Sequence, residues 1–330
     1  MKNQRIIFVP QFPSMMRYQE WWMWEFPLKF VDAGFEVVTL GNMNSRNIQP
    51  NYGYKIGSKN FSPIESAISF EMSQIQEYMD LKLRDDDIIF LADLSFPGFF
   101  ANALHHKRTK QMYAFCHATS LNDYDYFQQV RHSKFQVERG QANMFEKVFV
   151  GSRYHLDKLN CVDWPNNLVI TGLPEPPKSI ISPVSTKKKW FLMSASRPSI
   201  QKVDPEIEDD VEKQYRTKIY RGNFKSWKSY CRALSESKVL LVTAREETFG
   251  YQVVDAIING CIPVVPNAFS YTEMVPREYR YDNTTELMNI LDGILGERVE
   301  VPELLCKARI KNFFPNIIKI LRKEGDSYPF

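Results

Sequence analysis

Short runs of β-branched and aromatic residues alternate with longer stretches of helical periodicity along this chain. In the first half the runs fall at 5–9, 36–40, 88–91, 112–116, 147–150 and 168–171. In the second they fall at 190–194, 218–221, 239–243, 262–265 and 280–282. Nearly continuous apolar runs of this length, bounded by turn residues, predict parallel strands buried on both faces. The intervening segments predict helices, among them 14–33, closed by Gly34, and 62–83, which runs into the turn Asp85-Asp86-Asp87. A last long helical region is predicted over 302–323. Strands alternating with helices in this way predict an α/β chain with parallel sheets.

The alternation breaks once. Pro174, Pro176, Pro177 and Pro183 lead into Lys187-Lys188-Lys189, and this density of proline and charge predicts a linker. The expected division is a Rossmann-like domain over 1–172, a linker over 173–189 and a second Rossmann-like domain over 190–330. The two would face a central cleft, with the last helix packing back on the first domain.

Composition narrows the class. A chain of 330 residues suits two domains. Its 42 Lys and Arg against 39 Asp and Glu leave a formal charge of +3, which permits an anionic ligand without the clustered charge of a dedicated nucleic-acid binder. Cys116, Cys161, Cys231, Cys261 and Cys306 are scattered and form no CxxC pair, so they read as buried thiols in a reducing compartment rather than as a metal site or a disulfide framework. No run approaches ~20 apolar residues, and the first strand is too short for a signal peptide. The expectation is no membrane span and a cytoplasmic location, that of a host cell if the chain is viral. No pattern in the chain speaks to its oligomeric state.

The chemistry concentrates in the second half. Glu247 and Asp255 are separated by seven residues around Phe249-Gly250, and an apolar helical turn, Gly260 and the strand at 262–265 follow. Gly250 lets backbone approach a ligand, and a helix starting there presents unpaired N–H groups to an anion. Two turns of helix would bring both carboxylates toward one pocket. Just after the strand at 190–194, Arg197 and Lys202 stand with four residues between them, at the strand end where open α/β sheets bind ligands. Such a pair can clamp a diphosphate, or it can be a solvated loop.

Together, Arg197 and Lys202, Glu247-Thr248-Phe249-Gly250, Asp255-Ala256 and Gly260-Cys261-Ile262-Pro263-Val264-Val265 resemble the donor half of the large retaining glycosyltransferase family of GT-B fold, with its E-x7-E type motif. The similarity is nearest to its tRNA-queuosine mannosyltransferase-like branch. The run from Pro266 to Tyr279 resembles that branch too, as does Phe149-Val150-Gly151-Ser152-Arg153-Tyr154-His155. The resemblance is specific over 190–285, weaker over 112–160 and absent before 110.

The resemblance implies that Arg197 and Lys202 hold the diphosphate of a UDP- or GDP-sugar, with no further cofactor and no metal. It implies that Glu247 binds hydroxyls of the transferred sugar. Phe249, Gly250 and Tyr251 would approach sugar and phosphate through their backbone. Asp255 would meet the ribose. The family has Glu at this last position, and the shorter Asp puts that contact in question. His117, after the strand at 112–116, stands where the family often has a His beside the donor sugar; the alternative is a loop histidine satisfied by backbone.

The acceptor side is less determined. The family's glycine-rich loop after the first strand is absent, and 10–24 offers Arg17, Tyr18, Trp21, Trp22 and Trp24 instead. These aromatics suit stacking on a base or a sugar ring, or core packing. Arg17 and Tyr18 are the expected cleft residues. Asp93, at the end of the strand at 88–91, either orients an acceptor hydroxyl or caps a helix. His105, His106, His132 and His155 read as surface or structural. Lys107, Arg108, Lys110 and the lysines at 187–189 read as phosphate contacts or as solvated charge. The favoured acceptor is a modified nucleobase in DNA or RNA. A saccharide or lipid-linked acceptor is the alternative, and a nucleotide-sugar epimerase or a non-catalytic subunit of the same fold lies behind it.

Overall fold

The computed structural model describes residues 4–13, 17–41, 63–94, 111–124, 128–196, 201–296 and 300–323, with backbone alone over 63–69. Two parallel sheets organise it. The first contains β1 (Arg5–Val9), β2 (Glu36–Thr39), β3 (Ile88–Leu91), β4 (Gln111–Cys116), β5 (Lys147–Val150) and β6 (Leu168–Ile170) in the order β2-β1-β3-β4-β5-β6. The second contains β7 (Trp190–Met193), β8 (Ser237–Leu241), β9 (Ile262–Pro266) and β10 (Arg280–Tyr281) in the order β10-β9-β8-β7. Every pairing is parallel; Ile7, for example, lies opposite Val38 on one side and Ile89 on the other.

The helices are α1 (Tyr18–Asp32), α2 (Pro63–Asp80), α3 (Arg131–Ala142), α4 (Arg153–Asn160), α5 (Pro205–Tyr215), α6 (Trp227–Glu236), α7 (Tyr251–Ile258), α8 (Thr284–Gly296), α9 (Lys307–Lys311) and α10 (Phe313–Leu321).

Alternation of side chains along a strand explains the layers. Ile6 and Phe8 of β1 enter one apolar cluster, and Ile7 and Val9 enter another with Tyr78, Phe135 and Trp164. The first of these clusters does not stop at the first sheet. It continues through Trp22, Phe26 and Phe313 to Leu240, Val253 and Val265 of the second half. A third cluster lies on the other face of the second sheet, around Val239, Leu241, Val264 and Leu287.

Three expectations are corrected. The region 302–323 is not one helix but two, α9 and α10, meeting at Asn312. Pro315 fits the break: its nitrogen has no proton for the carbonyl four residues back, and it stands in the first turn of α10, where that proton is not needed. The strand at 218–221 shrinks to a single bridge, in which Tyr220 pairs with Met193 and exchanges hydrogen bonds with Leu192 and Ser194. The side chain of the next residue, Arg221, turns to Glu208 and Glu212 at 2.7 and 2.6 Å. Among the cysteines four are buried, but Cys161, just past α4, is exposed; all five are free thiols.

Helix α10 lies against the first half. Phe313 packs on Trp22, Phe26 and Phe115 at ring distances of 6.2, 5.7 and 6.2 Å. Arg322 donates to the Ala33 carbonyl and sits 5.5 Å over the Phe35 ring. Among the described residues no helix is long and apolar enough to cross a membrane.

Candidate functional site

The site forms where the carboxyl end of β8 meets the carboxyl end of β4. After β8 the chain runs irregularly to Gly250, whose φ of +94° lies in the left-handed region. A Cβ there would stand 2.9 Å from Cε1 of Tyr271, so glycine is required on both backbone and steric grounds. Helix α7 starts at the next residue with no side chain capping its N-terminus. It stops at Gly260, φ +72°. There Cys261 N donates to Ala256 O at 2.8 Å and Gly260 N to Ile257 O at 3.1 Å, the paired bonds of a glycine-terminated helix.

Glu247 faces Lys202, with Nζ to Oε2 at 2.5 Å. Its other oxygen accepts from Thr248 N at 3.0 Å and Phe249 N at 3.3 Å. Burial alone would raise this carboxyl, but the Lys202 ammonium and the two backbone donors outweigh it and hold the group below its ordinary range. Phe249 is drawn further into the turn because its carbonyl accepts from Ser270 Oγ at 2.8 Å. The result is an ionised carboxylate and an ammonium fixed beside the uncapped start of a helix.

Asp255 lies one helical turn beyond Tyr251 and is buried. Burial lifts its carboxyl to about 7, against a smaller opposing pull from the Tyr230 hydroxyl that hydrogen-bonds to it. It therefore titrates near neutrality while Glu247 stays charged.

His117 projects from the end of β4 into aromatic surroundings: Tyr18 at 4.4 Å, Trp22 at 4.6 Å and Phe115 at 4.6 Å between ring centroids. Burial pushes its imidazole well below the usual histidine range, so it is neutral. Its Nε2 lies 3.1 Å from the Ala92 carbonyl, which can only accept. Nε2 thus carries the proton and Nδ1 the lone pair. The backbone-satisfied reading of this residue is met at Nε2.

Tyr18 stacks on Tyr251 at 5.3 Å, and Trp22 Nε1 donates to the Tyr251 hydroxyl at 3.0 Å. The two halves share one aromatic floor. Trp21 and Trp22 are buried in it, whereas Trp24 points to solvent. Arg17 directly precedes α1 and is half-buried. Asp93 is buried at the end of β3 and accepts from Gln11 Nε2. Arg197 lies outside the described residues, as do His105, His106, Lys107, Arg108 and Lys110. The site so described brings together Lys202, Glu247, Phe249, Gly250, Tyr251, His117 and Tyr18.

No family model matches the chain. A stretch of 126 residues, 38% of the chain, is 26% identical to the tRNA-queuosine alpha-mannosyltransferase of Drosophila melanogaster and spans 32% of that protein. The structure superposes on the sucrose-phosphate synthase of Thermosynechococcus elongatus with a TM-score of 0.66, covering 97% of this chain and 94% of that one at 12% identity. A lipopolysaccharide outer core galactosyltransferase in its apo form gives 0.61, with 98% and 100% covered at 12% identity. The fold is GT-B.

Within this GT-B frame several residues at the junction escape a sequence reading. Glu246, 4% exposed, accepts from Asp123 N at 3.0 Å, Tyr124 N at 3.2 Å and Lys158 Nζ at 3.3 Å, all from the other half. Glu273 accepts from Arg153 N and Tyr154 N at the start of α4, both at 3.0 Å, and pairs with Arg309 at 2.6 Å. Trp227 donates to Glu20 at 3.0 Å. The one sequence signal was adjacency, since Glu246 stands beside Glu247. The lysine run also finds its place: Lys188 donates to the carbonyls of Ser235 and Gly260 at 2.8 and 2.7 Å, and Lys189 pairs with Glu236 at 2.8 Å. These two are engaged within the second half of the GT-B fold, not offered to phosphates.

Proposed function

We propose that this chain is a glycosyltransferase that moves a sugar from a UDP- or GDP-sugar to an acceptor hydroxyl with retention at the anomeric carbon. The observation that carries the reading is the Lys202–Glu247 pair beside the uncapped N-terminus of α7. An ammonium and free helical N–H groups stabilise the charge that develops on a departing diphosphate. Arg197 supplies a second cation, as the sequence resemblance implies. Glu247, held ionised, accepts hydrogen bonds from sugar hydroxyls, and His117 accepts one more through Nδ1. Asp255 meets the ribose side of the nucleotide. With no carboxylate placed as a nucleophile in this reading, the acceptor attacks from the face the diphosphate leaves, and the diphosphate oxygen takes its proton.

Arg17, Tyr18 and Asp93 are assigned to the acceptor side in this reading. The favoured acceptor is a modified base in RNA or DNA: the aromatic group of Tyr18, Trp22 and Tyr251 at the junction is of the kind on which bases stack, and the partial match to a queuosine mannosyltransferase points the same way. A saccharide acceptor is the second reading, because aromatic groups of this kind also pack on a pyranose.

The test is incubation with UDP-glucose and GDP-mannose, first with water as acceptor and then with tRNA, modified oligonucleotides and oligosaccharides, followed by mass spectrometry. An α-linked product by NMR supports retention, and a β-linked product overturns it. Turnover of neither donor overturns the glycosyl-transfer reading itself.

A further inference from the structure

Residues 245–248, just before Phe249-Gly250, hold contacts in both halves of the molecule. Arg245 is held mainly in its own half, where its backbone N–H donates to Gln201 O at 2.9 Å and its guanidinium to Asp204 Oδ2 at 3.1 and 2.9 Å, and it also hydrogen-bonds the Tyr124 side chain of the other half. Glu246 turns to the other half, where Asp123 N, Tyr124 N and Lys158 Nζ donate to it. Glu247 turns back to Lys202. Thr248 turns across again; its Oγ1 donates to the His117 carbonyl at 2.8 Å, and its own carbonyl accepts from Ser152 Oγ at 2.5 Å.

The partners on each side are themselves fixed. Asp204 caps α5, accepting from Glu206 N at 3.2 Å, and its backbone N–H donates to Thr243 Oγ1 at 2.8 Å. Lys158 also donates to Asn122 Oδ1 at 2.8 Å, tying α4 to the loop that Glu246 holds. Ser152 caps α4 by accepting from His155 N at 3.1 Å. A displacement of either half is therefore transmitted to the Glu247 turn with little slack.

We propose that residues 245–248 form a two-faced strap in which Glu246 and Thr248 are positioning residues: they lock the Glu247 turn to the loop after β4 and so set where a donor held by Lys202 and Glu247 meets the first half. The proposal rests on the donor reading above for its consequence, but its mechanical part stands on these contacts alone. Glu246 touches no reacting atom; it acts through its neighbour.

The experiment compares wild type, E246A, E246Q and K158M by amide hydrogen exchange without ligand and by hydrolysis of UDP-glucose and GDP-mannose. E246A is expected to speed exchange over 119–124 and 245–249 by about tenfold or more, because the loop amides lose their acceptor. It is expected to lower kcat for donor hydrolysis by about tenfold while KM for the donor stays within about twofold, since the donor contacts are intact but misplaced. E246Q, which keeps one acceptor oxygen and loses the ion pair, falls between, and K158M gives a smaller effect of the same sign should E246A fold poorly. Unchanged exchange in E246A overturns the strap. Faster exchange with unchanged kcat overturns the positioning role. A wild type that turns over neither donor, in which exchange still responds to E246A, overturns the glycosyl-transfer reading and leaves the strap supported.

Discussion

Lys202 and Glu247 can be separated experimentally because they do different work in the proposed reaction. Lys202→Met removes the ammonium but keeps most of the side-chain packing, so kcat for donor hydrolysis should fall by about 10²–10³. Glu247→Gln should instead raise KM for the donor more than it lowers kcat, and steady-state kinetics on UDP-glucose distinguish the two patterns. Asp255 provides a prediction independent of any substrate. Its folded-state pKa, raised by burial to about 7 from an ordinary 3.8, makes the folded chain bind more protons than the unfolded chain between those values. Stability must therefore fall as pH rises through that window, and the loss is complete above it. Urea midpoints at steps from pH 4 to 8 should show this descending contribution in wild type and lack it in Asp255→Asn. A difference curve that is flat, or that rises with pH, would contradict the assignment. The same residue is where the chain departs from the Glu of the family it resembles, so in the proposed reaction its protonation bears on the ribose contact.

Helix α4 shows how an element can depend on residues far from it in sequence. Its first two N–H groups are satisfied by Glu273, 119–120 residues later in the chain, with Arg309 completing the carboxylate's partners. Glu273→Ala should cost about 1–2 kcal/mol, the value of a lost helix cap, with exchange rising first at 152–156; chemical denaturation and exchange together check it. Such a contact is invisible to local pattern, and so is the pairing of Glu246 with Lys158. What could be read from the sequence was local. Gly250 and Gly260 mark the start and stop of α7 because only glycine takes those left-handed conformations cheaply, and the inner strands β1, β3, β4, β8 and β9 announce themselves because burial on two faces demands continuous apolar runs. Reading failed where a local rule was overridden. The apolar periodicity of 302–323 hid the break that Pro315 fits, and the apolar content of 218–221 suggested a strand where only Tyr220 pairs. Of the donor side, Lys202, Glu247 and Gly250 were legible as a motif. The floor formed by Tyr18, Trp22 and Tyr251 was not, because it exists only when α1 and α7 meet.

At the scale of the whole molecule, the question is what makes two sheets one body. Polar contacts at the strap are directional but few, whereas the apolar cluster that crosses the junction is extensive and includes Trp22, Phe26, Phe115, Phe313 and Val253. Phe313 is its keystone: the ring is 1% exposed and touches Trp22, Phe26, Phe115 and Phe314, so the chain's last helix fills the space beside α1 in the first half. Burial of an aromatic ring on this scale sets the cost of removing it. Phe313→Ala should destabilise the protein by about 3–5 kcal/mol, because the cavity it leaves is walled by large rings that cannot collapse into it. The distribution of the loss is the sharper test. If α10 is integral to the first half, exchange in Phe313→Ala should rise in β1, α1 and β4 while β8 and β9 stay protected, even though the substitution lies 72 residues or more beyond β8 in sequence. A rise confined to β8 and β9 would mean that α10 belongs to the second half alone and that the ring contacts to α1 add little. A uniform rise would mean the two halves unfold as a single cooperative unit, with the shared cluster outweighing the boundary between the sheets.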